Sequence, residues 1–193
     1  NIVLVATGSA TSWMTDKLIK NRGGLHNRIR HRIYLKPFSL KETEEYLKSR
    51  SVHWDRYQIL QGYMLTGGVP FYLKMLEPQQ SFAQNVDRLC FSDTGALKME
   101  FDELYNAIFP GAESYVEAVR ALADNKSGLT RTEISTKTKI SGAYLTRILT
   151  NLERCDFIDK TNLFGNRRTD AVYRLVDFYT LFYFKFVEKN LSR

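Results

Sequence analysis

The rhythm of apolar and polar positions changes several times along the chain. Ile2 to Ala6 is an unbroken apolar run, the pattern of a strand buried on both faces, and Thr7-Gly8-Ser9 makes a polar turn at its end. Thr11 to Ile19 has the spacing of a helix, and Arg32 to Leu35 reads as a second short strand before Pro37. Strand, helix and strand form one parallel unit of an α/β sheet. A single unit of this kind cannot cover its own two faces, so its sheet partners are expected from preceding residues or from another chain.

The pattern then becomes helical. Ser39-Leu40-Lys41-Glu42 is a capping box: the serine hydroxyl takes a free amide of the first turn and the glutamate reaches back to the serine amide. This predicts a helix over 40–49. A second helix is predicted over 57–65, where Ile59, Leu60, Tyr63 and Met64 share neighbouring faces. Gly67-Gly68 ends it and Pro70 opens another through Leu76, because glycine suits the residue past a helix end and proline suits a first turn. Phe82 to Leu89 and Leu97 to Ile108 also carry helical spacing, separated by Ser92-Asp93-Thr94-Gly95. Pro110-Gly111 breaks the chain, and a domain boundary is placed there.

Beyond it, residues 113–123 form an amphipathic helix through Val116, Val119, Leu122 and Ala123. Thr130-Arg131-Thr132-Glu133 is another capping box, opening a short helix to about Thr138. Ser141 caps a third helix, whose Leu145, Ile148, Leu149 and Leu152 face inward. Phe157 to Leu163 and Ala171 to Val176 alternate as the strands of a hairpin, joined by Phe164-Gly165-Asn166-Arg167-Arg168. Three helices followed by a hairpin predict a winged helix-turn-helix. Phe178 to Val187 is almost wholly aromatic or aliphatic. Ten residues are too few to span a membrane as a helix, which needs roughly twenty, so this segment is expected to pack on the winged helix and, in a longer protein, on a further domain.

Composition adjusts this picture without replacing it. The chain has 193 residues, 44% of them hydrophobic, enough for globular cores. It begins at Asn1 with no charged leader or cleavage site, so a fragment of a longer protein is expected rather than a signal peptide. Cys90 and Cys155 match no ligand spacing and suggest a reducing, cytoplasmic setting. His26, His31 and His53 have no partners at metal spacing, and no metal site is expected. The net charge of +7 is uneven. Residues 1–77 hold 12 Lys/Arg against 6 Asp/Glu, residues 78–112 hold 2 against 5, and residues 113–193 hold 14 against 10. Two basic blocks around an acidic connector point to two modules, with phosphate-bearing partners favoured by the positive ones.

Four stretches in order resemble a known family. They are Gly8-Ser9-Ala10-Thr11-Ser12-Trp13-Met14 after the first strand; Leu25-His26-Asn27-Arg28 before Ile33-Tyr34-Leu35-Lys36-Pro37; Thr66-Gly67-Gly68-Val69-Pro70-Phe71-Tyr72-Leu73; and Tyr173-Arg174-Leu175-Val176-Asp177-Phe178-Tyr179. The sequence is similar to the archaeal and bacterial ATPases allied to the STAND and origin-recognition branches of the AAA+ class. The resemblance implies a mixed α/β, mostly helical fold. Its parts are a partial ATPase core over 1–37, a helical lid over 38–111, and a winged helix with an aromatic C-terminal helix over 112–193.

The resemblance also implies roles. Ser9 stands where such ATPases hold a polar sensor beside the γ-phosphate, although Ala10 replaces the second serine often found there; an ordinary turn serine is the other reading. Arg28 matches an arginine able to stabilise charge during phosphoryl transfer, with Arg30 and Arg32 as neighbours that compete for the role and a solvated basic loop as the alternative. Gly67, Gly68 and Pro70 resemble the lid motif that closes over adenine, and they equally suit a plain helix-loop-helix turn. ATP and magnesium are implied for the intact parent protein.

No glycine is followed by lysine, so the chain has no phosphate-cradling G-x-x-x-x-G-K-[ST] loop. Asp102-Glu103 follows no buried apolar strand and reads as a solvated helix face. The chain alone is therefore expected to bind nucleotide weakly and to be inactive. Its winged helix presents Tyr144, Arg147 and Asn151 opposite the leucines, with Arg167 and Arg168 at the hairpin tip, all suited to DNA. The competing readings are a stand-alone DNA-binding regulator and a protein-docking or self-association module without nucleic acid; no membrane partner is expected.

Overall fold

The computed structural model describes Val5, His31, residues 33–162 and residues 171–191. The protein is mostly helical, with one small antiparallel sheet of three strands. Its contacts group into two compact units. One contains residues 35–104 and 177–191. The other contains residues 105–162 and 171–176, with the described residues ahead of Leu35.

The first unit is built from α1 (Leu40–Ser49), α2 (Arg56–Thr66), α3 (Pro70–Lys74), α4 (Phe82–Val86) and most of α5 (Ala96–Ile108). The capping box at α1 forms as expected, with Ser39 Oγ accepting from the Glu42 amide and Glu42 Oε2 accepting from the Ser39 amide at 2.8 Å. Ser81 and Gln84 make a further box at α4. After α4 the chain widens into a π-helical turn over Asp87–Phe91. Leu47, Leu65, Leu73 and Leu97 are fully enclosed, each worth about 1.5–3 kcal/mol of burial.

At the end of α1, Ser51 stands at φ 61 in the left-handed region, while the Ser51 and Val52 amides donate to the Lys48 and Leu47 carbonyls. Glycine is the usual occupant of that position because it carries no Cβ penalty. The left-handed penalty is about 1–2 kcal/mol and is partly offset by the freer unfolded chain of a glycine. Ser51→Gly should therefore stabilise the unit by about 0.5–1 kcal/mol in urea unfolding. A loss of stability would show that the serine has a role beyond the turn.

The chain returns to this unit at its end as α9 (Phe178–Phe182), a π-helical turn over Tyr183–Val187, and α10 (Glu188–Leu191). Asp177 Oδ2 accepts from the Thr180 amide at 2.7 Å to start α9. Burial raises the Asp177 carboxyl above the usual carboxylate range, although its bonds to Thr180 act the other way. Tyr179, Tyr183, Phe184 and Val187 are buried, against α5 and Tyr72 among others. The contacts group this segment with residues 35–104, and the two units meet in sequence between Leu104 and Tyr105 and again after Val176.

The second unit contains α6 (Ala112–Ala123), β1 (Leu129–Thr130), α7 (Arg131–Thr138), α8 (Gly142–Arg154), β2 (Ile158–Asn162) and β3 (Ala171–Leu175). The sheet order is β1-β3-β2, with Leu129 opposite Tyr173 and Ile158 opposite Leu175. Leu145, Ile148, Leu149 and Leu152 line the buried side of α8, and the spacing of i, i+3, i+4 and i+7 places them on one stripe. Thr130 and Glu133 form the expected capping box. Ser141 occupies the N-cap position of α8 but makes no side-chain cap bond, correcting the sequence reading. Gly142 follows it at φ 62, outside the helical region, and carries the chain into the helix without the hydroxyl.

Residues 33–35 form no strand, contrary to expectation. Ile33 is 83% and Leu35 88% exposed. An extended segment becomes a strand only by pairing along its edge, and no described residue pairs with this one. Val5 lacks regular structure and is exposed; the rest of the opening run and the helix expected at 11–19 lie outside the described residues.

Candidate functional site

Two surfaces carry the described candidate residues. The first is the glycine corner between α2 and α3. Gly67 ends α2 at φ 61, its amide donating to the Tyr63 carbonyl at 2.8 Å. Gly68 follows at φ 73. Thr66 Oγ1 donates to the Gly62 carbonyl at 2.9 Å, and the Val69 amide reaches the Thr66 carbonyl at 3.0 Å. Pro70 then occupies the first turn of α3. The corner is thus built for a sharp helix-to-helix reversal.

The close approach that these glycines permit is already used within the unit. The Phe38 amide donates to the Gly68 carbonyl at 2.9 Å. A Cβ on Gly68 would lie 2.0 Å from the Phe38 carbonyl oxygen. The backbone neighbour that requires glycine at 68 is therefore Phe38. Pro70, Met64 and Phe71 remain exposed, the last two at 53% and 56%, leaving apolar surface of the kind a flat base can lie against. Ser9, Arg28, Arg30 and Arg32 lie outside the described residues.

The second surface is the outer side of the α7–α8 pair. Tyr144 and Arg147 are both exposed, and the Arg147 guanidinium carbon lies 5.0 Å from the centre of the Tyr144 ring. That contact pre-orders a long side chain. Asn151 does not join them: it is partly buried, and its Nδ2 donates to Tyr115 Oη at 2.9 Å. Its amide ties α8 to α6, a contact invisible to helical periodicity because Tyr115 lies 36 residues away. Arg167 and Arg168 lie outside the described residues.

The sequence reading missed the basic residues of the preceding turn. Arg131 Nη2 donates to the Gly142 carbonyl at 2.7 Å, bracing the start of α8. Lys126, Lys137 and Lys139 are exposed. Residues 126–147 carry five Lys/Arg against one Asp/Glu, and that acid, Glu133, is held in the α7 capping box. The signal was available in a local charge count over residues 126–147; the count over 113–193, 14 Lys/Arg against 10 Asp/Glu, dilutes it.

Neither thiol is suited to nucleophilic work. Burial pushes Cys90 up to about 12 and Cys155 up to about 11, so both stay protonated at neutral pH. Among the described residues no group of three or more His, Cys, Asp or Glu is placed to hold a metal, and no helix is long and apolar enough to cross a membrane.

No family model matches the chain. A curated protein, the uncharacterized protein MJECL04 of Methanocaldococcus jannaschii, is 24% identical over 191 residues, covering 98% of this chain and 42% of its own length. The solved structure of the Walker-type ATPase PABY2304 of Pyrococcus abyssi matches 92% of this chain with a TM-score of 0.60 and 21% identity, over 51% of that chain. The likeness is one of fold, and the chain spans about half or less of each of these proteins.

Proposed function

We propose that this chain is the regulatory portion of an AAA+-type ATPase, in which a helical lid, 35–104 with 177–191, accompanies a winged helix, 105–176, that binds duplex DNA. The observation that carries the DNA reading is the α7–α8 face. An arginine stacked on an exposed tyrosine there lies on a helix pair that, from 131 to 154, carries five Lys/Arg against two Asp/Glu. The order of three helices and an antiparallel hairpin supports the winged helix-turn-helix reading, in which α8 is the helix that enters the major groove. Arg147 is assigned to base edges or phosphate and Tyr144 to the backbone, while Lys137, Lys139 and the hairpin arginines 167 and 168 supply phosphate contacts.

The likeness in fold to a Walker-type ATPase supports the nucleotide half of the reading. In the parent protein, ATP and magnesium would supply the phosphoryl-transfer chemistry. This chain would contribute the apolar surface at Pro70 against the base, with Gly67 and Gly68 shaping the corner, and Ser9 and Arg28 as polar and cationic groups toward the phosphates. Pro70 is exposed and apolar, as that role requires.

Fluorescence anisotropy with a labelled duplex tests the DNA half. Affinity should fall steeply between about 50 and about 200 mM salt, as phosphate contacts release counterions. Arg147→Ala should weaken binding roughly tenfold, and Lys137→Ala should weaken it less while flattening the salt slope. A chain that binds no duplex, or binds it equally well after Arg147→Ala, would remove the DNA assignment; sedimentation would then ask whether the same face joins two copies.

A further inference from the structure

Two hydrogen bonds hold the ends of one short stretch of chain. At one end, Tyr34 Oη donates to Asp156 Oδ2 at 2.5 Å and lies 3.4 Å from the Arg154 carbonyl oxygen. At the other, the Phe38 amide donates to the Gly68 carbonyl at 2.9 Å. Each bond lies inside its own unit, and the link between them is covalent: Leu35, Lys36 and Pro37.

Both anchors are built into backbone stops. Asp156 stands at φ 58 just past α8. Its amide donates to the Glu153 carbonyl at 3.2 Å, and the Phe157 amide to the Leu152 carbonyl at 3.0 Å, which closes the helix. Glycine or asparagine is the usual residue in that conformation; here a carboxylate is held there and receives the Tyr34 hydroxyl. Burial of the neighbours does not explain the position of Tyr34, because Ile33 and Leu35 are almost fully exposed. The phenol is pushed up to about 12, first by its bond to Asp156 and then by burial, so it remains a donor throughout the neutral range. At the far anchor, Gly68 also stands in the left-handed region, against Phe38.

The stretch between the anchors is short and restricted at its proline end. Pro37 fixes its own φ and pushes Lys36 toward extended backbone. From residue 34 to residue 38 the chain reaches at most about 14 Å.

We infer that residues 34–38 form a strap passing displacement of the Gly67–Gly68 corner to the C-terminal end of α8, the helix that bears Tyr144 and Arg147. The strap rests on the proposed function only for what it carries, nucleotide state in one direction and DNA occupancy in the other. The mechanical link is tested without either ligand.

Hydrogen exchange on the whole chain, corrected for intrinsic rates, reads both anchors. Tyr34→Phe removes one hydroxyl and should speed exchange several-fold, about threefold to tenfold, at Asp156 and Phe157. It should also speed exchange at Phe38, four residues away in the other unit. Asp156→Asn should do the same more weakly, since asparagine tolerates the left-handed position and leaves residues 33–38 untouched. In a Pro37→Gly background, Tyr34→Phe should still speed exchange at Asp156 and Phe157 and no longer reach Phe38. An unchanged Phe38 amide in both single variants overturns the strap, as does full transmission through the Pro37→Gly chain. Duplex binding by the same proteins is scored separately, so a failure of the DNA reading leaves this result standing and the reverse.

Discussion

Gly68→Ala should destabilise the 35–104/177–191 unit by about 2–3 kcal/mol, the sum of a left-handed backbone penalty of about 1–2 and a lost hydrogen bond of about 1. The added Cβ would lie 2.0 Å from the Phe38 carbonyl oxygen and 3.0 Å from Tyr63 Cε2. The first neighbour is backbone and cannot rotate away. The alanine must therefore displace residues 37–39, and the Phe38 amide loses the Gly68 carbonyl at 2.9 Å. Gly67→Ala is the matched control. Its φ is 61, and its Cβ would meet only the Phe178 side chain, at 3.7 and 3.9 Å, ordinary contacts. It should cost only the backbone penalty, about 1–2 kcal/mol. Because the chain has two units, each variant should be followed by hydrogen exchange of the buried Leu65 and Leu73 amides rather than by one global transition. Equal losses for the two alanines would show that approach to Phe38 is not what demands glycine at 68.

What the sequence revealed follows the range of the interaction involved. The boxes at Ser39–Glu42 and Thr130–Glu133 were legible because donor and acceptor lie three residues apart. Ser81–Gln84 carries the same signal and was overlooked amid a segment read only for periodicity. The leucine stripe of α8 was legible for the same local reason. Ser141 failed as a cap because the outcome depends on the φ of Gly142, which no pattern specifies. The two-residue strand Leu129–Thr130 has no periodicity to show; it exists because β3 pairs with it. Ile33 to Leu35 failed in the opposite sense: apolar character alone does not make a strand, and no edge among the described residues pairs with it. At the candidate sites, the exposed placement of Tyr144 and Arg147 followed from α8's own period. Asn151 did not, since its Tyr115 partner comes from another helix. The glycine corner was visible, whereas the residue that presses on it, Phe38, was not.

The same limit governs the aromatic end of the chain and makes the second large effect predictable. Composition showed that Phe178 to Val187 needed cover, and the expectation that the winged helix supplies it did not anticipate the rings of residues 35–104. The structure answers with Phe101, 2% exposed, its ring stacked on Tyr183 at 3.9 Å between centres and 4° between planes, and edge-on to Phe184 at 5.2 Å. Polar pins flank the stack: Tyr179 Oη donates to the Leu97 carbonyl at 2.6 Å, and Tyr72 Oη to Glu100 Oε1 at 3.2 Å. Phe101→Ala should therefore cost about 3–5 kcal/mol, as for a large core ring removed without collapse. Tyr179→Phe, which removes one hydrogen bond and keeps the ring, should cost about 1 kcal/mol. The loss on Phe101→Ala should appear first as faster exchange over residues 178–191, with the 105–176 unit little changed. This bears on function, because the segment's large rings are consumed inside the 35–104/177–191 unit and only Phe186, at 42%, is substantially exposed. A free aromatic arm awaiting a protein partner would lose nothing from Phe101→Ala; equal costs for the two variants would restore that reading and detach the C-terminal segment from residues 35–104.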